Sequence, residues 1–371
     1  VTVFEAVPPT ITACASNKII AADSECMAVV PDLTGEVVAS DNCSSVSVFQ
    51  TPPADELIGV GDTVVTIRVI DDSGNEAICT ATVRVTESTP PIISCPANIA
   101  VTATTGQLST VVTYSTPTAT DNCSGAPVAC VPASGSSFPI GITTVTCTAT
   151  DAALNQTSCS FRVAVSGTLL ATADSFIRNG ADNTNEGANE RLRIQSSGHN
   201  RVLARFNLSG ISTNGMQSAT LTLDIAENSD NWGTSGRLVD AHRLLEDWTE
   251  GNGRNDIMVG GGPNFRGTGE GVTWKCAKDT NINNQNDDCT TPWNGGIFAA
   301  ATAASALHVN DQTGPVSWNV TADVMAGANN GWIIKKQTEG QNGQVRYYSR
   351  QGAALAGNPN LAPRLVLVFL P

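Results

Sequence analysis

The chain has 371 residues, 41% of them hydrophobic and only 15% charged, with a net charge of -14. That charge excludes nucleic acid as a bulk partner, since phosphate binding needs a positive field, and it opposes adhesion to anionic lipid. No continuous apolar run is long enough to span a bilayer, so membrane insertion is not expected.

In chain order, the first stretch is "VTVFEAVPP", which aligns with "VRVTESTPP" at Val83–Pro91. Val1, Thr2, Val3 and Phe4 therefore read as the end of a last strand whose own repeat is absent. Two explanations stay open: a cut in a longer array, or an orphan strand that completes the sheet of a neighbouring copy and builds a fibre. From there the sequence overlays itself at a shift of 80 to 82 residues. "DNCSS" at Asp41–Ser45 meets "DNCSG" at Asp121–Gly125, and Val60–Val85 meets Ile140–Val165 without a gap. Val64, Ile67 and Val69, and then Val83 and Val85, mark half-buried strands with a period of two. "DDSGN" reads as a tight turn between the last two strands of the copy. Repeats of this length and pattern predict two immunoglobulin-like β-sandwiches, over residues 8–87 and 88–166, with 1–7 as a preceding or donor-like strand.

Eleven cysteines without any C-x-x-C spacing predict disulfides in an oxidising compartment. Cys43 and Cys79 recur as Cys123 and Cys159, so each copy is expected to staple the same two strands. Cys130 and Cys147 replace Gln50 and Ile67 together, which suggests a bond between them, with Cys147 turned inward. Cys14 and Cys26 are counted among the bonded cysteines, as are Cys276 and Cys289. The second copy has Leu108 opposite Cys26, and by elimination Cys95 is the unpaired one, either as a buried thiol or in a bond to another chain.

The quoted repeats, with Pro-Pro, Asp-Asn-Cys, "FPIGITTVTCTATD" and "CSFRV", resemble the hyalin repeat, a family of extracellular adhesive modules. The resemblance covers residues 8 to 166 and implies a secreted or surface-exposed stalk.

Beyond Gly167 the composition changes: all six Trp and all three His lie here, and Asn and Gly become dense. "SGT" at Ser166–Thr168 is too short for a flexible linker. Alternating runs at Ala219–Ala226, Gly331–Lys336, Gln344–Arg350 and Arg364–Leu370 predict a larger, jelly-roll-type β-sandwich over 167–371, and "TADVMAG" one short helical turn. The fold class is thus all-β throughout. Stretches such as "ADSFIRNG", "NEGANERLRIQ" and "NWGTSGRLVDAHRLLEDWTEGNG" resemble the DNRLRE family of β-sandwich domains. That resemblance implies a domain of secreted or surface bacterial proteins, some relatives of which bind acidic, alginate-like polysaccharide.

Trp232, Trp248, Trp274 and Trp293 lie near polar loops and are candidates for stacking on sugar rings. Trp332 alternates with Ile334 and reads as core. In "QVRYYSR", Arg346, Tyr348 and Arg350 share a face, with Lys335 close in sequence, and charge-assisted hydrogen bonds from that face could read an acidic sugar. The competing reading is an edge strand kept soluble by charge. Asp279, Asn281 and Asn283 follow a D-x-N-x-N spacing that suits structural calcium, and Asp174 is a second calcium candidate. Glu246, Asp247 and Glu250 are too close in sequence to flank one glycosidic bond, and the histidines form no metal spacing. No nucleophile elbow or phosphate loop is present, so no enzyme is expected. The reading is a non-catalytic extracellular protein, adhesive or structural, whose partner is polysaccharide. Its rivals are a self-assembling fibre made of copies of the chain and a polysaccharide-active enzyme.

Overall fold

The computed structural model describes residues 5–195, 199–229, 231–255, 265–284, 286–289 and 292–371. Val1, Thr2, Val3 and Phe4, on which the donor-strand expectation rests, lie outside the described residues. The chain is all-β, with two five- or six-residue α-helices and two 3-10 turns among the described residues. It divides into two compact units. One holds the chain up to Pro96 with Tyr114–Ser134 and Val145–Phe161; the other holds Ala97–Thr113, Gly135–Thr144 and Arg162–Pro371.

In the first repeat a four-stranded sheet runs Lys18–Ala21, Glu76–Thr86, Gly61–Asp71, Val46–Thr51. Gly61–Asp71 and Glu76–Thr86 form an antiparallel hairpin, and Lys18–Ala21 lies parallel to Glu76–Thr86. Alternation decides which face is dry: Val65, Ile67 and Val69 are fully buried, while Val64 and Arg68, in the other phase, are exposed. Against that face pack Ala15, Val30, Leu33 and Ile58 from the short strands and turns of the opposite layer. The hairpin turn is tied by Asp71, whose Oδ1 accepts the N–H groups of Ser73 and Asn75, each at 2.8 Å. Asp151 and Asn155 repeat the bond at 2.8 Å in the second copy.

Residues 166–168 do not link anything: they lie within the strand Gln156–Leu170. Ile99–Thr102 pairs parallel to Val163–Ser166, and Arg364–Phe369 pairs antiparallel to Gly167–Leu170. The rest of the second unit is a sandwich. One sheet carries Arg364–Phe369, Met216–Asn228, Val345–Tyr348 and Arg191–Ile194 in that order, with Gly314–Asn319 also on Met216–Asn228. The other runs Ala173–Arg178, Asn200–Arg205, Trp332–Lys336, Arg237–Arg243, Ala304–His308. Val345–Tyr348 is flanked on both sides and is not an edge strand, because Arg191–Ile194 pairs with its outer side. The described residues between Arg237–Arg243 and Ala304–His308 include an irregular cover, where Trp248, Trp274 and Trp293 pack on Ala173, Ile177 and Ile333. Thr321–Met325 is the expected short helix; Arg350–Leu355 is a second one, capped by the Ser349 hydroxyl, which accepts from Gly352 N. Among the described residues no helix is long and apolar enough to cross a membrane.

Candidate functional site

The tryptophans expected to meet sugar are inside the protein. Trp232 and Trp248 are 0% exposed, Trp293 is 4% and Trp274 7%. Each supports a loop. Trp232 Nε1 donates to Asn228 Oδ1, Trp248 Nε1 to Asn330 O and Trp293 Nε1 to Thr273 O, all at 2.9 Å. Trp274 lies under the Arg201 guanidinium, 4.8 Å from the ring centre. Large rings in Gly- and Asn-rich surroundings serve here to anchor chain that has little other apolar surface.

The cations expected to read sugar are also engaged. Arg346 pairs with Glu227, and Arg350 with Glu250. Lys335 donates to Lys336 O at 3.1 Å and lies 4.0 Å from Glu339. Tyr348 is covered by the Arg191 guanidinium at 4.6 Å. The alternation itself holds, since Val345, Tyr347 and Ser349 are buried and Arg346, Tyr348 and Arg350 partly exposed. What differs is that the cations of the outer face already have acidic partners, and Tyr348 lies under Arg191.

The carboxylates are held likewise. Asp247 bridges Arg205 at 2.7 Å and Lys278 at 2.6 Å, which lowers its pKa despite partial burial. Asp174 is wholly buried. Its Oδ2 accepts Arg350 N at 2.8 Å, while Oδ1 has no hydrogen-bond partner. Burial first, and then Glu250, push its pKa up to about 8 against the pull of Arg350. Asn185, which sequence reasoning missed, knits this region together. Its amide donates to Glu250 O at 2.7 Å and Val272 O at 2.8 Å, and its oxygen accepts Gly253 N at 2.7 Å. The signal was an Asn before a Glu-Gly in a loop, which looks like any turn.

For calcium, Asp279 is 1% exposed and its Oδ1 accepts Asn281 N at 3.0 Å, whereas Asn281 and Asn283 are exposed. The D-x-N-x-N spacing thus makes a turn with its acid enclosed, in place of a ring of oxygens. Carboxylate oxygens do come together elsewhere: those of Glu5, Asp41 and Asp71 lie within 4.8 Å of one another.

One polar cleft of the second unit remains open. Ala181, Asp182, Asn183, Thr184, Arg266 and Lys275 line about 330 Å³. The loop is fixed by Asp182, whose Oδ1 accepts Gly180 N at 2.8 Å, and by Thr184 Oγ1, which donates to Ala181 O at 2.7 Å. Arg266 uses Nη1 on Asn284 O at 2.9 Å, and Lys275 lies 3.1 Å from Asp287 with both side chains of that pair more than a third exposed. Two partly exposed cations, an amide and a hydroxyl share this polar wall with the Asp182 carboxylate, a set that suits hydroxylated or carboxylated ligands.

Five disulfides are present: Cys14–Cys79, Cys26–Cys123, Cys95–Cys159, Cys130–Cys147 and Cys276–Cys289. Cys95 is therefore not the unpaired cysteine; Cys43 is free and exposed. Nor do Cys43 and Cys123 staple the strands that bear Cys79 and Cys159. Those bonds go to Cys14 and Cys95, and Cys123 bonds to the first repeat.

Disulfide-braced β-sandwiches ahead of a larger sandwich define a modular protein of extracellular type. Residues 5–85 and 86–165 each match the HYR domain, and residues 165–252 match carbohydrate-binding module family 96. The chain thus carries two tandem HYR domains followed by a carbohydrate-binding module, and no catalytic domain is among these matches. It is 36% identical over 114 residues to hyalin of Lytechinus variegatus, covering 30% of this chain and 22% of that protein. It is 39% identical over 136 residues to hyalin of Strongylocentrotus purpuratus, covering 35% of this chain and 11% of that protein. The chain therefore spans less than a quarter of the curated relatives it matches. Among solved structures, three titin immunoglobulin domains align with a TM-score of 0.30 at 9% identity, over 62% of this chain and 84% of that one. Drosophila N-cadherin aligns with a TM-score of 0.26 at 12% identity, over 43% and 50%.

Proposed function

We propose that the chain is a secreted, non-catalytic protein in which disulfide-braced HYR domains carry a polysaccharide-binding module. The observation that carries this reading is the family 96 match at residues 165–252, on the same chain as two HYR domains. The cleft of Asn183, Thr184, Arg266 and Lys275 is the ligand surface that the chemistry favours, because the Lys275 side chain is 38% exposed against 15% for Arg346. Two cations beside an amide favour a uronic-acid polymer over a neutral glucan.

Affinity electrophoresis through gels containing a polyuronate or a neutral β-glucan tests this. The wild type is expected to be retarded in the polyuronate gel. Arg266→Ala/Lys275→Ala is expected to lose about tenfold or more in affinity, as two charge-assisted contacts vanish. Wild type that migrates freely in both gels would overturn the binding function. Retardation unchanged in the double variant would move the ligand to another face.

A further inference from the structure

Cys43 is an exposed thiol in a chain whose other ten cysteines are bonded. Its counterpart in the second repeat, Cys123, is bonded to Cys26 of the first. The two loops present their sulfurs on the same frame. Asp41 Oδ2 accepts the N–H groups of Cys43 at 2.8 Å and Ser44 at 3.1 Å. Asp121 Oδ2 accepts those of Cys123 at 2.9 Å and Ser124 at 3.2 Å. Ser44 Oγ accepts Asp72 N at 3.4 Å, and Ser124 Oγ accepts Ala152 N at 3.3 Å. Asn122 then donates to Asp23 O in the Cys26 turn at 3.4 Å, and Asn42 stands in the matching place beside Cys43.

The bonding pattern has a direction. A repeat offers sulfur at the Cys26 position and receives it at the position of Cys43 or Cys123. The first repeat offers, and its receiving sulfur is free. The second receives, and Leu108 stands where its offering cysteine would be. We propose that Cys43 is the receiving half of an inter-repeat disulfide, and that its partner is a further HYR repeat with cysteine at the Cys26 position. Cys26 of a second copy of this chain does not qualify, because it is already bonded. With oxidised glutathione as oxidant, the Cys43 thiolate attacks one glutathione sulfur and releases one glutathione thiolate. The partner's thiolate then displaces the second glutathione. Two protein thiols and one glutathione disulfide become one protein disulfide and two glutathione thiols.

The test places a second copy of residues 5–86 directly ahead of Glu5 in the full chain, in a glutathione redox buffer. Non-reducing peptide mapping is expected to find Cys26 of the added copy bonded to Cys43 of the original. Maleimide labelling of the original Cys43 should fall from about one equivalent to below about 0.1. Cys26→Ser in the added copy should restore it. Continued full labelling of the original Cys43 in the extended chain would overturn the proposal. So would a Cys43–Cys43 dimer of the unextended chain on a non-reducing gel. The unextended chain supplies a second measurement that needs no new fold: one equivalent of reactive thiol is expected, absent in Cys43→Ser, and an unreactive Cys43 also refutes the assignment.

Discussion

Asp174 shows what burial does to an acid at the heart of this sandwich. It is enclosed, one of its oxygens lacks a hydrogen-bond partner, and its pKa is pushed up to about 8. In the unfolded chain the group titrates near pH 4. Between these values the native state holds a proton that the unfolded state has lost, so the contribution of this group to stability is full at low pH and falls as pH rises toward about 8. Asp174→Asn keeps the shape and removes the titration. It is expected to flatten that part of the curve, losing little stability at pH 5 and gaining relative to wild type at alkaline pH. Thermal unfolding followed from pH 5 to 9 checks this; parallel curves for the two proteins would show that Asp174 is ionised in the native state. Residue types were legible in the sequence while their surroundings were not. Trp248 and Arg350 have the chemistry of sugar contacts, yet one is packed inward with its ring N–H on Asn330 O and the other is matched by Glu250. Those partners come from 82 and 100 residues away, as with the Trp248 bond to Asn330, a distance at which no local pattern speaks.

At the scale of elements, strands were legible because one dry face imposes a period of two. Leu365, Leu367 and Phe369 are buried in a strand whose alternate residues are partly exposed. Pairing was not legible, since a strand's charges do not reveal its neighbours; Val345–Tyr348 reads as an edge and sits between two strands. The helix Arg350–Leu355 was hidden for a related reason. It is only six residues long, and contacts rather than propensity hold it. Gly352 lies inside it, where Gly→Ala ordinarily gains roughly 1 kcal/mol. Here a Cβ would collide with the Glu190 carbonyl oxygen and crowd the Arg191 guanidinium. Backbone cannot yield as a flexible side chain can, so Gly352→Ala is expected to destabilise by about 1–3 kcal/mol. Denaturant unfolding measures the sign, and a stabilised variant would mean that the helix shifts freely against the Glu190 strand entry.

Across the whole molecule, the repeat fixed how many modules there are but not how their sulfurs pair. Two cysteine pairs recur at a shift of 80 or 81: Cys43 and Cys79 become Cys123 and Cys159, and Cys14 and Cys79 become Cys95 and Cys159. Periodicity fits both; only the fold distinguishes them, and it joins the second set. The freed position is then used between repeats, where Cys26–Cys123 closes a separation of 97 residues. In the chain-entropy account a loop of that size restricts the unfolded state by roughly 4–5 kcal/mol, against roughly 3 kcal/mol for Cys276–Cys289 at a separation of 13. Each repeat keeps its own long-range bond when Cys26 and Cys123 are both changed to Ser, so each should still fold. Their unfolding should be less coupled. Calorimetry is expected to show the repeats melting at lower temperature in Cys26→Ser/Cys123→Ser, with a larger shift than Cys276→Ser/Cys289→Ser causes in the second unit. Equal or smaller shifts would mean that the inter-repeat bond only records which modules are neighbours and contributes little to their stability.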